Sequence, residues 1–254
     1  MGAPPTNSPA AGLKGLFVRI NCTSVSLGRA GAMLAVPEWK ISMARVLIIG
    51  ASKGIGLETT RQALEGGHQV RALARSAAGI GLSDPKLDKV RGDALVSKDI
   101  EAALNGIEVV IQTLGVSVGD LFRPVSLFSQ STRVLVSAME SQGVKRLICV
   151  TGFGAGDSYA SISFLQLVPF RLLVGRAYDD KSVQERLIKN SSLDWTIVRP
   201  GVLTSGRRTG RYKVLDKPSQ WRNGVISRSD VAEFLVRQIE DRTYVGKALV
   251  LVCC

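Results

Sequence analysis

The chain has 254 residues, of which 45% are hydrophobic and 21% are charged, and its net charge is +12. This length and composition are typical of one large α/β domain with a substantial core. The cations are scattered, without a basic run that carries interleaved aromatic residues, so we expect no nucleic-acid partner. Because no apolar stretch approaches the roughly 20 residues of a membrane span, we expect no membrane partner either.

Residues 1–42 differ from the rest in composition, with Pro4-Pro5, scattered Ser, Gly and Ala, and a single acid, Glu38, against four basic residues. They show no hydrophobic periodicity. We predict a disordered leader here, either a basic, acid-poor organelle transit peptide or a non-native extension, since Met43 opens a strand as a natural start would. Residues 43–254 are predicted to form one folded domain with a small C-terminal substrate region.

The segment Arg45-Val-Leu-Ile-Ile-Gly50-Ala-Ser-Lys53-Gly54-Ile-Gly56 joins an apolar strand to a helix. Its three glycines allow a tight turn, the close approach of a diphosphate to the backbone, and close helix–strand packing. The free N–H groups and the positive end of the helix dipole then face the phosphates. The residues predicted to bind the cofactor here are Gly50, Ser52, Lys53, Gly54, Ile55 and Gly56.

The second predicted strand, Gln69–Ala74, is followed by Arg75-Ser76. NAD-binding domains place an acid at this point, which accepts hydrogen bonds from the ribose hydroxyls. Arg75 and Lys53 instead put two positive charges near the adenosine 2′ position, so the sequence favours NADP(H) over NAD(H). The alternative is that both are ordinary surface cations.

The rest of the pattern alternates between strands and helices, which predicts a single Rossmann fold, an α/β doubly wound parallel sheet with helices on both faces. The predicted elements are strand Lys89–Arg91, helix Ser97–Asn105 with Ser97 as N-cap, strand Val109–Ile111, helix Pro124–Gln142, strand Arg146–Val150, helix Tyr178–Lys189, strand Leu193–Arg199, helix Ser227–Asp241 and strand Ala248–Val252. Residues 152–156 and 164–170 are interpreted as an insertion that either lines a substrate pocket or caps the core.

Ligands bind at the carboxyl ends of the strands in such a sheet, so the residues that follow each strand are candidate ligands. Asp93 and Ala94 would flank the adenine, although Asp93 is equally suited to cap a helix. Thr113, Leu114 and Gly115 would border the nicotinamide ribose, Thr151 would lie beside the nicotinamide, and Pro200 and Thr204 would follow the sixth strand. The loop Val202–Gly210 is a candidate lid.

The four cysteines show neither metal-ligand spacing nor a disulfide framework, and Cys149 falls in an apolar strand. A reducing compartment is expected, the cytoplasm or, if the leader is a transit peptide, an organelle. The single histidine, His68, is predicted at the end of the sheet opposite the glycine turn, which argues against Ser-His-Asp chemistry and against a metal site.

Over residues 44–252 the chain resembles the short-chain dehydrogenase/reductase superfamily, in particular its atypical NmrA-like branch, which includes biliverdin reductase B and related flavin reductases. The resemblance is carried by Gly50-Ala-Ser-Lys-Gly-Ile-Gly56, Gly92-Asp-Ala94, Asp180-Lys181 opening a helix, Asp194-Trp-Thr-Ile-Val-Arg-Pro-Gly201 and Ile226-Ser-Arg-Ser-Asp-Val231. It implies that Lys181 holds the nicotinamide ribose first and acts in catalysis second.

The superfamily's usual pair is a Tyr with a Lys four residues on, whereas Tyr178 and Lys181 are three apart. The serine and histidine of biliverdin reductase-like enzymes correspond to Gly152 and Val202, which speaks against bilin or flavin reduction.

The leading functional prediction is an NADPH-dependent oxidoreductase that reduces a small carbonyl, quinone or flavin-like acceptor. Thr151 would bond the substrate or the carboxamide, and Tyr178 or water would give the proton. The alternatives are a non-catalytic NADP(H)-binding regulator of NmrA-like type and, less favoured, a sugar epimerase or dehydratase. Neither the substrate nor the oligomeric state follows from the sequence.

Overall fold

The first strand of the sheet is apolar and buried on both faces. The computed structural model describes residues 43–115, 126–162 and 164–254, without the side chains of 164–174. Strand β1 (Arg45–Ile49) is buried from Val46 onward. Unbroken β-branched and aliphatic runs of this kind suit a central parallel strand, as the sequence predicts.

The later strands are β2 (Gln69–Ala74), β3 (Leu87–Arg91), β4 (Val109–Gln112), β5 (Arg146–Val150), β6 (Asp194–Pro200), β7 (Val202–Thr204), β8 (Tyr212–Leu215), β9 (Val225–Ser227) and β10 (Lys247–Cys253). The α-helices are α1 (Gly54–Glu65), α2 (Ser97–Leu104), α3 (Leu127–Gln142), α4 (Phe164–Lys189) and α5 (Arg228–Arg237). Short 3₁₀ turns occupy Ala77–Gly79, Gly156–Ser161 and Pro218–Gln220.

Eight strands form one sheet in the order β3-β2-β1-β4-β5-β6-β10-β8, and β7 pairs with β9 in a small parallel sheet. All neighbours from β3 to β10 are parallel, while β8 is antiparallel to β10. The predicted α/β doubly wound fold is therefore confirmed. Strand β1 lies between β2 and β4, where the strand order reverses, and this switch point is where doubly wound sheets bind ligands.

The two faces of the sheet carry separate apolar layers. On one face Ile48 packs in a cluster with Ala63 of α1 and Phe234 of α5. On the other face Leu47 belongs to a cluster with Ile188 of α4. Each fully buried aliphatic side chain contributes roughly 1.5–3 kcal/mol relative to exposure, so β1 is fixed from both sides and the turn that follows it has a rigid base.

Helix α4 begins earlier than predicted. The segment 164–170, interpreted as part of an insertion, forms its first two turns, so Asp180-Lys181 lies inside the helix and does not open it. Asp180 contacts α3 instead. Its Oδ2 accepts hydrogen bonds from the backbone N–H groups of Phe128 (2.8 Å) and Ser129 (3.2 Å). A buried carboxylate thus caps the N-terminus of α3.

Other boundaries also differ from the prediction, and one lies partly outside the described residues. Val96, not Ser97, is the N-cap of α2, and the Ser97 hydroxyl bonds Glu101 instead. The first residues of the predicted helix Pro124–Gln142 lie outside the described residues. Strand β7 occupies the start of the predicted lid, and α5 ends at Arg237, before Asp241.

Candidate functional site

A cavity of about 580 Å³ opens at the carboxyl ends of β1 to β6. The predicted residues that line it are Gly50, Ser52, Lys53, Gly54, Ile55, Arg75, Asp93, Ala94, Thr113, Leu114, Gly115, Thr151, Lys181 and Pro200. The structure therefore brings together residues from the ends of six strands, which are up to 150 positions apart in the sequence. Gly56, Tyr178 and Thr204 do not belong to the lining.

The glycine turn has the geometry that close phosphate approach requires. Gly50 and Gly54 adopt positive φ angles of 88° and 61°. No described atom lies within 4 Å of the point where a Cβ of Gly54 would be, so this position opens into free space. A Cβ on Gly56 would instead lie 2.2 Å from the carbonyl oxygen of Gly50. Gly56 thus serves the packing of α1 on the sheet, while Gly54 leaves room for a ligand.

The first turn of α1 supplies donors to this open space. The first N–H groups of a helix have no partner within the helix, and Lys53, the N-cap of α1, makes no side-chain capping bond. These N–H groups and the helix dipole form an anion site. Lys53 and Arg75 are both exposed and line the cavity at its β2 side. A diphosphate and a further phosphate fit this combination of amides, open backbone and cations.

Asp93 follows β3 and lines the same side of the cavity. Its backbone N–H donates to Asp99 (2.8 Å), and its Oδ1 accepts from the N–H of Leu95 (3.0 Å). Asp93 therefore organises a local turn and does not cap α2, whose N-cap is Val96. Its carboxylate stays at the cavity wall.

The end of β4 is tied to the end of β1. Both the backbone N–H and the hydroxyl of Thr113 donate to the carbonyl oxygen of Ile49, each at 2.9 Å. These two hydrogen bonds to one carbonyl oxygen fix the floor of the cavity between the glycine turn and the Leu114–Gly115 segment. Residues 116–125 lie outside the described ranges.

Thr151 and Lys181 meet at the end of β5. The ammonium of Lys181 donates to the backbone carbonyl of Thr151 and lies 4.9 Å from the centre of the Phe128 ring. Desolvation by burial lowers the pKa of Lys181 to about 8, although the nearby Cys149 and Glu185 oppose the shift. A lysine with a lowered pKa that lines a cavity is a candidate for proton transfer.

The hydroxyl of Thr151 points to a buried ion pair. It donates to Oε1 of Glu185 at 2.8 Å, and Nε of Arg199 donates to the same oxygen at 2.9 Å. Both charged side chains are fully buried, and the guanidinium of Arg199 stacks on Trp221 at 4.7 Å. Since the paired carboxylate is an acceptor, the proton of the Thr151 hydroxyl is committed to Glu185. The sequence signal for this pair was an arginine inside a buried apolar strand, which requires a partner.

Tyr178 lies next to Lys181 but faces elsewhere. Its ring centre is 5.3 Å from Nζ of Lys181, and a Cβ on Gly152 would lie 2.7 Å from the Tyr178 hydroxyl oxygen. The ring lines a separate recess of about 230 Å³ with Gly154 and Tyr159. Burial raises the pKa of Tyr178, which makes its phenol a weaker acid than usual.

Thr204 is displaced from the cavity by its place in β7. It pairs with Ser227 of β9, and its hydroxyl bonds the carbonyl of Ile226 at 3.4 Å. The preceding residue, Leu203, lines the cavity instead. Sequence reasoning also missed Arg228, the first residue of α5, which lines the cavity from the side of the last helix.

The cysteine and histidine interpretations concern residues away from this cavity. Cys149 is free and fully buried, and burial raises the pKa of its thiol. His68 precedes β2, and its Nδ1 accepts from the N–H of Ala44 at 3.4 Å. Across the described residues no three His, Cys, Asp or Glu side chains are placed to hold a metal ion. Within the same ranges no helix is long and apolar enough to cross a membrane.

A parallel sheet with a glycine turn at its switch point, an open backbone and flanking cations defines a dinucleotide-binding Rossmann protein. Residues 50–242 match the model of the NAD(P)H-binding family. An uncharacterized chloroplastic protein of Arabidopsis thaliana is 30% identical over 223 residues, which cover 85% of this chain and 78% of the relative. The chain therefore belongs to the NAD(P)H-binding family, and the predicted nicotinamide dinucleotide cofactor is confirmed.

Further similarities bear on the branch of the family. The photosystem II assembly factor Ycf39 of Synechocystis is 25% identical over 205 residues, and this chain spans 58% of its length. ChuY, an anaerobilin reductase of Escherichia coli O157:H7, is 26% identical with a TM-score of 0.69, over 82% of this chain and 96% of ChuY. A short-chain dehydrogenase/reductase of Veillonella parvula in complex with NADP has a TM-score of 0.70 over 82% and 94% of the two chains, but at 17% identity it supports only the fold.

Proposed function

We propose that this protein is an NADPH-dependent reductase of a small carbonyl, quinone or flavin-like acceptor. The observation that carries the proposal is the cavity itself, which places Lys53 and Arg75 at one end and Thr151 and Lys181 at the other. The two cations suit a 2′-phosphate, and the lysine of lowered pKa suits proton transfer beside a nicotinamide. The reductase activity in the name of ChuY supports the reaction class.

The wall near Lys181 favours an apolar, ring-shaped acceptor. Leu114, Leu127, Val150 and Leu203 all line the cavity. Apolar surface of this kind binds the body of a quinone or an aromatic carbonyl, while the charged end of the cavity is matched by the phosphates of the cofactor. Gly152 lacks the serine hydroxyl that the resemblance to biliverdin reductase-like enzymes implies, and the Tyr178 phenol fills the space beside it, so a bilin is not the favoured acceptor.

When bound, the reduced nicotinamide supplies a hydride to the acceptor carbon. The remaining requirement is a proton for the acceptor oxygen. Lys181 lines the cavity and has a pKa near 8, so its N–H bond can break as the acceptor O–H bond forms, and the neutral amine then regains a proton from water. Thr151 has its hydroxyl proton engaged with Glu185, and the hydroxyl of Tyr178 lies toward Gly152. We therefore assign the proton to Lys181.

A non-catalytic NADP(H)-binding regulator is the second candidate. It is favoured by the absence of Tyr178 from the cavity lining and by the similarity to Ycf39, which is named as an assembly factor. A sugar epimerase or dehydratase finds less support, because those enzymes use a tyrosine directed at the substrate.

Turnover distinguishes the candidates. The loss of reduced-nicotinamide absorbance would be followed with a panel of quinones, aromatic aldehydes and flavins, for the unaltered chain, Lys181→Met and Tyr178→Phe. A reductase oxidises NADPH only with an acceptor present, loses at least about 100-fold in rate in Lys181→Met, and keeps most of its rate in Tyr178→Phe. Tight NADPH binding without oxidation by any acceptor would favour the regulator.

The cellular location of the protein and the boundary between its leader and its folded domain near residue 42 are further proposals. The basic, acid-poor composition of residues 1–42 and the chloroplastic relative support an organelle over the cytoplasm. A fluorescent protein fused to residues 1–42 would enter the organelle under this proposal and remain in the cytoplasm under the alternative. Residues 43–254 produced alone should still bind NADPH.

A further inference from the structure

Arg228 contributes a positive charge to the cavity wall that the proposed reaction does not use. It is half-buried and lines the cavity, and its Nη1 donates to the hydroxyl of Ser205 at 3.3 Å. Within the described ranges no carboxylate lies within 4 Å of its guanidinium. A half-buried cation whose only recorded partner among the described residues is a neutral hydroxyl suits an anion, because an opposite charge would offset its partial desolvation.

The packing of α5 on α1 brings Arg228 to the phosphate end of the cavity. The hydroxyl of Ser229 donates to Oε1 of Glu58 at 2.8 Å, and Nε2 of Gln62 donates to the carbonyl of Ser229 at 3.0 Å. Glu58 lies about one turn after Gly54, so the start of α5 lies beside the first turns of α1. Arg228, one residue before Ser229, therefore lines the cavity together with Gly54 and Ile55.

We propose that Arg228 binds the diphosphate of the cofactor beside the first turn of α1. The inference rests on the NAD(P)H cofactor and is independent of which acceptor is reduced. The planar guanidinium is able to hold two phosphate oxygens at once, which a backbone N–H cannot do. Its bond to Ser205 is a weak one that a charged ligand replaces, since a neutral hydroxyl is the poorer acceptor.

This assignment divides the cations of the cavity by function. Arg75 and Lys53 would read the 2′-phosphate and so separate NADPH from NADH, whereas Arg228 would contact a group that both cofactors carry. Arg228 would therefore raise the affinity for both dinucleotides equally and leave their ratio unchanged.

Calorimetric titration of the full chain tests the division. Arg228→Gln should weaken NADPH and NADH binding by the same factor, about tenfold for a half-exposed charge-assisted contact. Binding of 2′-AMP, which has no diphosphate, should be unchanged. Arg228→Lys, which keeps the charge without the paired donors, should recover part of the affinity.

Arg237→Gln is the matched control, because Arg237 lies on the same helix, pairs with Glu233 and does not line the cavity. It should bind both cofactors normally. Thermal unfolding without ligand would verify that each variant is folded. The assignment is wrong if Arg228→Gln binds both cofactors normally, weakens NADPH alone, or changes only the acceptor KM. These readouts do not depend on turnover, so they remain decisive if the protein reduces no acceptor.

Discussion

Replacing Gly54 by alanine separates the backbone cost of a methyl group from its effect on a bound phosphate. Gly54 has φ 61° and open space at the position of a Cβ. Gly143, which ends α3, has φ 72° and the same open space. Left-handed backbone costs a non-glycine residue about 1–2 kcal/mol, so Gly54→Ala and Gly143→Ala should lose similar stability.

Cofactor binding should distinguish the two variants. In Gly54→Ala the methyl group occupies the space where the diphosphate approaches the backbone, and we expect NADPH affinity to fall by at least about tenfold, or about 1.4 kcal/mol. In Gly143→Ala the affinity should not change. Urea denaturation would give the stabilities and calorimetric titration the dissociation constants. Equal NADPH affinities in the two variants would refute the role of the glycine turn.

Three other predictions concern the charged residues. Arg75→Gln should weaken NADPH binding by about tenfold and leave NADH binding unchanged in the same titration, and equal losses would remove the 2′-phosphate assignment. Glu185→Gln removes the buried counter-charge of Arg199 and leaves it only the exposed carboxylate of Asp157 at 3.8 Å, so stability should fall by about 3–5 kcal/mol in urea denaturation. Adding Arg199→Met to the same chain should restore part of this stability, and a loss below about 1 kcal/mol in Glu185→Gln would contradict the pairing. For Asp230, burial alone would raise the pKa, but hydrogen bonds from residues 209, 210 and 227 lower it in the folded protein. The carboxylate therefore stabilises the fold at pH values above its unfolded-state pKa, and this stabilisation is lost as the pH falls through its lower folded-state pKa. Asp230→Asn should therefore lower the free energy of unfolding at neutral pH and make it fall less steeply with decreasing pH below about pH 4. Parallel plots of unfolding free energy against pH for the two chains would disprove this.

The sheet and the glycine turn were predictable because they depend on local signals. The apolar runs of β1, β2 and β5 were located to within a residue, since buried parallel strands have few polar interruptions. Residues at the strand ends then followed from topology alone, because parallel strands present their carboxyl ends at one edge. This is why most of the predicted cofactor residues line one cavity.

The remaining features depend on contacts between distant segments. Arg228 reaches the cavity through the packing of α5 on α1, which includes a hydrogen bond between residues 167 positions apart. The Glu185–Arg199 pair likewise joins a helix to a strand, and nothing in either segment identifies the partner. The position of Tyr178 depends on the missing side chain of Gly152, which leaves room for the phenol on that side. For α4, the apolar segment 164–170 lacks the polar face that marks an amphipathic helix.

The most direct test of the account is a calorimetric titration of the unaltered chain with NADPH and with NADH under the same salt conditions. Lys53 in the glycine turn and Arg75 after β2 predict at least about tenfold tighter binding of NADPH, because the 2′-phosphate adds charge-assisted hydrogen bonds that NADH does not make. Equal affinities, or a preference for NADH, would contradict the assignment of this cavity to NADPH.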